Sequence, residues 1–233
     1  METMSQLSVP QSVMDQTAHA VRQSKPNTLS SLQQANSDAA SAQIAHFRAI
    51  PWCAAHLSPE GVTETPLIVD QSLSRVLQPA HDASHALVSR TLNTPAGIPA
   101  YIAFHPPPSA PGAFVREVKA LAALGPALNS WPGVCHGGII TMLVDEAIAR
   151  VAEVNQRLGL MRKDVVVVTG GLNLKFLKPV RTGTVEKPRA VLITARLAKA
   201  EGRRYWVEAD VSGPDGEVLV KADGVMVSVK AAL

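Results

Sequence analysis

Between Ile139 and Val154 the chain has no polar face. Ile139, Ile140, Met142, Leu143, Val144, Ala147, Ile148, Val151 and Val154 fall on nearly every side of a helix. A helix that is apolar all round must be buried all round, so the rest of the chain has to wrap it. Suitable material follows directly. Val165 to Phe176, Ala190 to Ala198, Tyr205 to Val211 and Val218 to Val229 are rich in β-branched residues. The segments Gly202-Arg203-Arg204 and Gly213-Pro214-Asp215-Gly216 between them are turn chemistry. One long buried helix followed by an antiparallel meander predicts an α+β domain in which a sheet curls around a helix.

Upstream the text is mixed. Leu67-Ile68-Val69, Ala86 to Leu92 and Ala100 to Phe104 read as short strands, and His105 to Pro111 as a proline-rich loop. A short helix is expected from Ser37 to Phe47, and Ile50-Pro51-Trp52-Cys53 begins a packed segment. Residues 1–37, rich in Ser, Gln, Asn and Ala, cannot bury enough surface to offset their ordering entropy and are expected to be disordered or loosely helical. The expected organisation is therefore a disordered segment 1–37, an extension 38–94 packing on the core, and the sheet-and-helix domain 95–233. There is no internal repeat.

Composition narrows the function classes. The net charge of +3 and a charged fraction of 18% are too small for a protein devoted to nucleic acid. No apolar run approaches a membrane span, and no signal peptide opens the sequence. Cys53 and Cys135 do not make a disulfide framework. The expectation is a cytoplasmic protein acting on a small molecule.

The polar residues of the apolar helix then need individual reasons. Glu146 and Arg150 are four apart in the favourable order and can pair. Asp145 has Ile148 and Ala149 at the corresponding positions, and an unpartnered carboxylate on a buried helix is costly. It is either catalytic or bonded to a group elsewhere in the fold. At the helix start, His136-Gly137-Gly138 offers free first-turn amides, close backbone approach and the positive end of the dipole, a setting for a carbonyl oxygen that becomes an oxyanion. The bland alternative is a glycine loop tucked against a strand. His136 and Asp145, nine residues apart, would stand roughly 13 Å apart on opposite sides of a helix. If the two features act together, two chains of a homodimer must contribute them.

His136-Gly137-Gly138 followed by Leu143-Val144-Asp145 resembles the motif of the PaaI-type branch of the hotdog-fold thioesterase superfamily. The block Thr169 to Gly183 (TGGLNLKFLKPVRTG) and the closing Asp215-Gly216-Glu217-Val218-Leu219 are similar to the strands that follow in that branch. Upstream, Ile50-Pro51-Trp52-Cys53, Arg90 to Pro95 and Leu128-Asn129 look like fungal members of secondary-metabolite pathways. The resemblance implies a hotdog fold, homodimeric or further paired into tetramers, that hydrolyses an acyl thioester of coenzyme A or a carrier protein. It needs no cofactor, and a polyketide-like acyl group is favoured.

On this resemblance Gly137 donates to the thioester carbonyl, Asp145 is nucleophile or general base, Thr169 helps hold the water, and His136 positions the loop or substrate. Gly138 and Asn129 join the substrate side, although Asn129 stands one residue off the family spacing. Lys175, Lys178 and Arg181 are placed to meet phosphates, or simply to guard a solvated sheet edge. Trp52, Tyr101 and Trp131 line an acyl pocket or belong to the core. Other chemistry on the same fold stays open: lactone hydrolysis, dehydration or carbon–carbon cleavage of a polyketide intermediate, or a non-catalytic binding subunit.

Two rival motifs fare worse. Gly133-Val134-Cys135-His136-Gly137 has the spacing of a nucleophile elbow with cysteine in place of serine, yet no histidine follows position 136 to complete a triad. His81 and His85 have the i, i+4 spacing of a metal pair, but in a polar stretch, and no metal is expected.

Overall fold

The computed structural model describes residues 29–58, 67–70, 75, 85–162 and 164–230. Its elements in chain order are α1 (Leu29–Arg48), α2 (Pro51–Leu57), β1 (Ile68–Asp70), β2 (Tyr101–His105), β3 (Glu117–Leu124), β4 (Asn129–Trp131), β5 (Val134–Cys135), α3 (Gly137–Arg157), β6 (Val165–Phe176), β7 (Arg189–Glu201), β8 (Arg204–Ser212) and β9 (Val218–Lys230). Among the described residues, seven strands form one antiparallel sheet in the order β1-β2-β3-β7-β8-β9-β6, and β4 and β5 form a separate hairpin. The apolar helix α3 packs on β3, β6, β7, β8 and β9. A sheet curled around one long helix, with the strand before the helix paired to the second strand after it, is the hotdog arrangement.

The sheet is buried on both faces along β2, β3 and β7. On the inner face Val118, Ala120, Ala122 and Leu124 of β3, with Val191, Ile193 and Ala195 of β7, meet Ile140, Leu143, Val144 and Ile148 of α3. On the outer face Ile102, Phe104, Leu121, Ala123 and Leu192 are covered by Phe47 of α1 and by Cys53 and Leu57 of α2. Gln43 of α1 accepts the Tyr101 N–H at 2.9 Å, which fixes α1 against the start of β2.

Double-sided burial explains why β3 is not legible as a strand. Its sequence, EVKALAAL, lacks polar alternation and is built from good helix formers. Small alanines let helices approach both faces. One further expectation changes. The segment Ala86–Leu92, expected to be a strand, holds a π-helical turn, Leu87–Thr91. The buried guanidinium of Arg75 donates to the carbonyls of Val88 and Ile98 and to Asn93, so this segment's backbone is satisfied without a sheet neighbour. Helix α1 begins at Leu29, within the stretch expected to be disordered or loosely helical and eight residues before the expected helix at Ser37, and residues 1–28 lie outside the described residues. Asn129 to Gly133 belongs to the β4–β5 hairpin, where Gly133 has a φ of 71°.

Near its C-terminal end α3 is tied to the sheet by Asn155. This buried amide donates to the carbonyls of Val115 and Val151 and accepts the Val115 N–H. Asn155→Ala leaves buried backbone groups without partners and should cost about 2–3 kcal/mol. A thermal melt checks this, and an unchanged midpoint would contradict the assigned role.

Candidate active site

The carboxylate of Asp145 is half-buried on α3, and Thr169 Oγ1 of β6 donates to it at 2.6 Å. The same hydroxyl lies 3.6 Å from Met226 Sδ. The structure thus brings together two residues that are 24 apart in sequence. A backbone irregularity aims the hydroxyl. The β6–β9 register shifts between Thr169 and Gly171, leaving Gly170 as the extra residue of a bulge. A side chain at Gly170 would bring its Cβ within 2.8 Å of Val227 Cγ2, so only glycine fits there.

The start of α3 is built differently from a bare glycine loop. His136 is the N-cap, and its ring Nδ1 accepts the Gly138 N–H at 3.0 Å. The His136 carbonyl accepts from Ile139 and Ile140. The cap leaves Gly137 as the first-turn amide with no hydrogen-bond partner among the described residues. Gly137 lines a cavity of about 390 Å³ with Phe176, Lys178 and Val180, and a Cβ on it would sit 3.4 Å from the Phe176 ring. A donor at a helix N-terminus, facing a mostly apolar cavity, suits an oxygen on which negative charge develops.

Residues 132–220 match the thioesterase superfamily. The chain is similar to this family over that stretch. It is 28% identical over 106 residues to an acyl-coenzyme A thioesterase (THEM4) of Bos taurus, an alignment covering 45% of this chain and 38% of that protein. The chain therefore spans under half the length of that curated relative. Among solved structures it is similar to a Bacillus halodurans protein solved with CoA (25% identity, 48% of this chain and 66% of that one, TM-score 0.40). It is also similar to a Haemophilus influenzae thioesterase (15% identity, 51% and 75%, TM-score 0.43).

The other expected site residues are distributed as follows. Lys178 lines the Gly137 cavity and pairs with Glu217. Arg181 and Lys178 line an adjoining cavity of about 250 Å³. Asn129 lies elsewhere, in a cavity of about 600 Å³, and its side-chain oxygen accepts from the Thr182 hydroxyl at 2.5 Å. Lys175 is exposed opposite Lys221 and lines none of these three cavities. Gly138 stands beside the His136 ring with its N–H engaged in the cap, so it has no free amide to offer a ligand.

Arg150 bonds Glu153 at 2.5 Å, a partner one turn on that spacing alone did not single out. Tyr101 is buried beside these charges, and desolvation holds its hydroxyl well above the ordinary phenol range. Trp131, at the hairpin tip, is 74% exposed and so is not a core residue. His85 occupies a turn at φ 56°, while His81 lies outside the described residues. Among the described residues no cluster of metal ligands occurs, and no helix is long and apolar enough to cross a membrane. Phe176, the platform beneath Gly137, was missed in the sequence because only the strand after α3 places it there.

The Cys135 thiol is buried, with Sγ 3.8 Å from the His136 carbonyl oxygen. Burial pushes both Cys135 and Cys53 up to about 12, opposite to the shift a nucleophilic thiolate requires. Both thiols should therefore react with iodoacetamide at pH 8 at least about a hundredfold more slowly in the native protein than in urea. Mass spectrometry of the time course checks this, and fast native alkylation at Cys135 would restore the elbow reading.

Proposed function

We propose that the chain hydrolyses an acyl thioester, with Asp145 as the acting carboxylate and the Gly137 N–H as the carbonyl donor. The observation that carries this is the Thr169–Asp145 hydrogen bond. It supplies the carboxylate with a neutral donor and no cation, so Asp145 keeps acceptor capacity for water. As general base, Asp145 takes a proton from water as the water oxygen attacks the thioester carbon. The carbonyl oxygen becomes an oxyanion held by Gly137. Collapse breaks the carbon–sulfur bond, and the departing thiolate regains the proton from Asp145, leaving carboxylic acid and free thiol. As nucleophile, Asp145 would instead form an anhydride that water opens. His136 fixes the loop through its cap, Thr169 orients the carboxylate and its water, and Lys178 and Arg181 face the phosphates of the thiol carrier.

The name of the bovine relative supports coenzyme A as that carrier, and the fungal-like upstream motifs favour a polyketide-like acyl group. The working unit is a homodimer. Within one helix Gly137 and Asp145 stand more than two turns apart, roughly 12 Å along the axis, too far to meet at one carbonyl. The strand β6, at the sheet edge, exposes Val166 and Val168 at 49% and 41%. An exposed apolar edge of this kind favours pairing with a second chain.

In a free-thiol assay over aliphatic and aromatic acyl-CoAs, Asp145→Asn should lower turnover by at least about 10²-fold, and Thr169→Val by about tenfold. Equal rates for wild type and Asp145→Asn would remove the carboxylate from the mechanism. Sedimentation equilibrium should return twice the chain mass, and a monomer with full activity would refute the shared site.

A further inference from the structure

The largest of the three cavities is not used by the chemistry above. It has a volume of about 600 Å³ and lies where Ile50 and Trp52 of the N-terminal extension meet the segment Thr182–Ala190. Its size falls in the range of small-molecule sites. Trp52 is half-buried there, and Lys187 and Arg189 are exposed at the same cavity. Neither cation pairs with a carboxylate among the described residues, whereas Arg196 pairs with Glu117 and Asp210, and Lys178 with Glu217. The nearby Glu186 is held by its own backbone and by Thr184.

The cavity also connects to the reaction site. It shares Arg189, Ala190 and Pro214 with the cavity that holds Arg181. That cavity in turn shares Lys178 and Pro179 with the one at Gly137. A row of three cavities thus runs from the carbonyl donor past Lys178 and Arg181 to an indole flanked by two cations.

We propose that this cavity seats the nucleoside-phosphate end of a coenzyme A thioester, with Trp52 against the base and Lys187 and Arg189 on the phosphates. The assignment rests on the thioesterase reading and deepens it. Coenzyme A ends in an adenosine 3′,5′-bisphosphate, whereas a carrier-bound pantetheine arm has one phosphodiester and no base. Occupancy of this cavity therefore selects free coenzyme A thioesters over carrier-bound ones. Trp52 and Ile50 lie outside the stretch 132–220 that matches the family, so the selecting wall comes from this chain's own extension.

The test is calorimetric titration of the full chain with adenosine 3′,5′-bisphosphate and, separately, with inorganic pyrophosphate. Wild type should bind the bisphosphate. The double variant Lys187→Ala/Arg189→Ala, altered only at exposed side chains, should weaken both ligands about tenfold or more. Trp52→Ala should weaken the bisphosphate and spare pyrophosphate, and Trp52→Phe should retain most of the binding. If Trp52→Ala fails to fold by circular dichroism, the Phe and double variants decide. No binding by wild type up to millimolar ligand, or equal affinity in the double variant, overturns the proposal even if thiol release from acyl-CoA continues. Binding without thiol release would instead sink the thioesterase reading and leave the nucleotide seat standing.

Discussion

Everything in this structure depends on enclosing α3. Each fully buried Leu, Ile or Val side chain contributes about 1.5–3 kcal/mol relative to exposure. Ile140, Leu143, Val144, Ile148, Val151 and Val154 are all buried to within a few per cent. A flat sheet covers one side of a helix. Covering more requires the strands to curl, and the long strands β6 to β9, of 9 to 13 residues, supply the span. Close packing is visible where a Cβ on Gly224 of β9 would stand 3.1 Å from Ile148 Cδ1. The extension then finishes the enclosure from outside by placing α1 and α2 over the opposite face of β2, β3 and β7.

Once the helix is enclosed, each polar group on it needs a partner, and the partners differ in kind. Asn155 is fully used by backbone, and Arg150 is held by a carboxylate. The Asn155 arrangement is closed and holds structure together, and the Arg150 charge is paired with that of Glu153. Asp145 receives a hydroxyl from an exposed edge residue instead. A structural carboxylate in such a setting is usually matched by a cation or by several amides, which lower its basicity. One neutral donor leaves a carboxylate oriented yet able to accept a proton, as acid–base work requires.

The division between what the residues disclose and what they conceal follows from this packing. The expected strands Val165–Phe176, Ala190–Ala198, Tyr205–Val211 and Val218–Val229 lie within a few residues of β6 to β9. Their β-branched runs end in real turn chemistry. The apolar helix was also within reach; family resemblance singled out Asp145 and Thr169 separately, the latter to help hold a water, but the hydrogen bond between them is visible only in the structure. By contrast, β3 hides behind helix-forming alanines, and the turn at Leu87–Thr91 is shaped by Arg75, a residue twelve or more positions away. The cap escaped notice because histidine is not a usual N-cap residue. The largest of the three cavities was beyond reach, since separated segments at 50–52, 129–133 and 182–190, together with Pro214, make it.

The position of Thr169 links chemistry to assembly. It sits on β6, the edge strand, beside the exposed Val166 and Val168. Under the proposed dimer, whatever covers that edge also covers the Thr169–Asp145 pair. The half-buried carboxylate of the isolated chain would then lose water on its open side, and its interactions would strengthen as the local dielectric falls. The same association would bring a second helix N-terminus, with its free Gly137 amide, toward the carboxylate that its own helix cannot reach. Under the proposed mechanism a single chain would hold two half-sites separated by more than two turns of one helix. The proposed dimer is what would bring the two half-sites to one carbonyl.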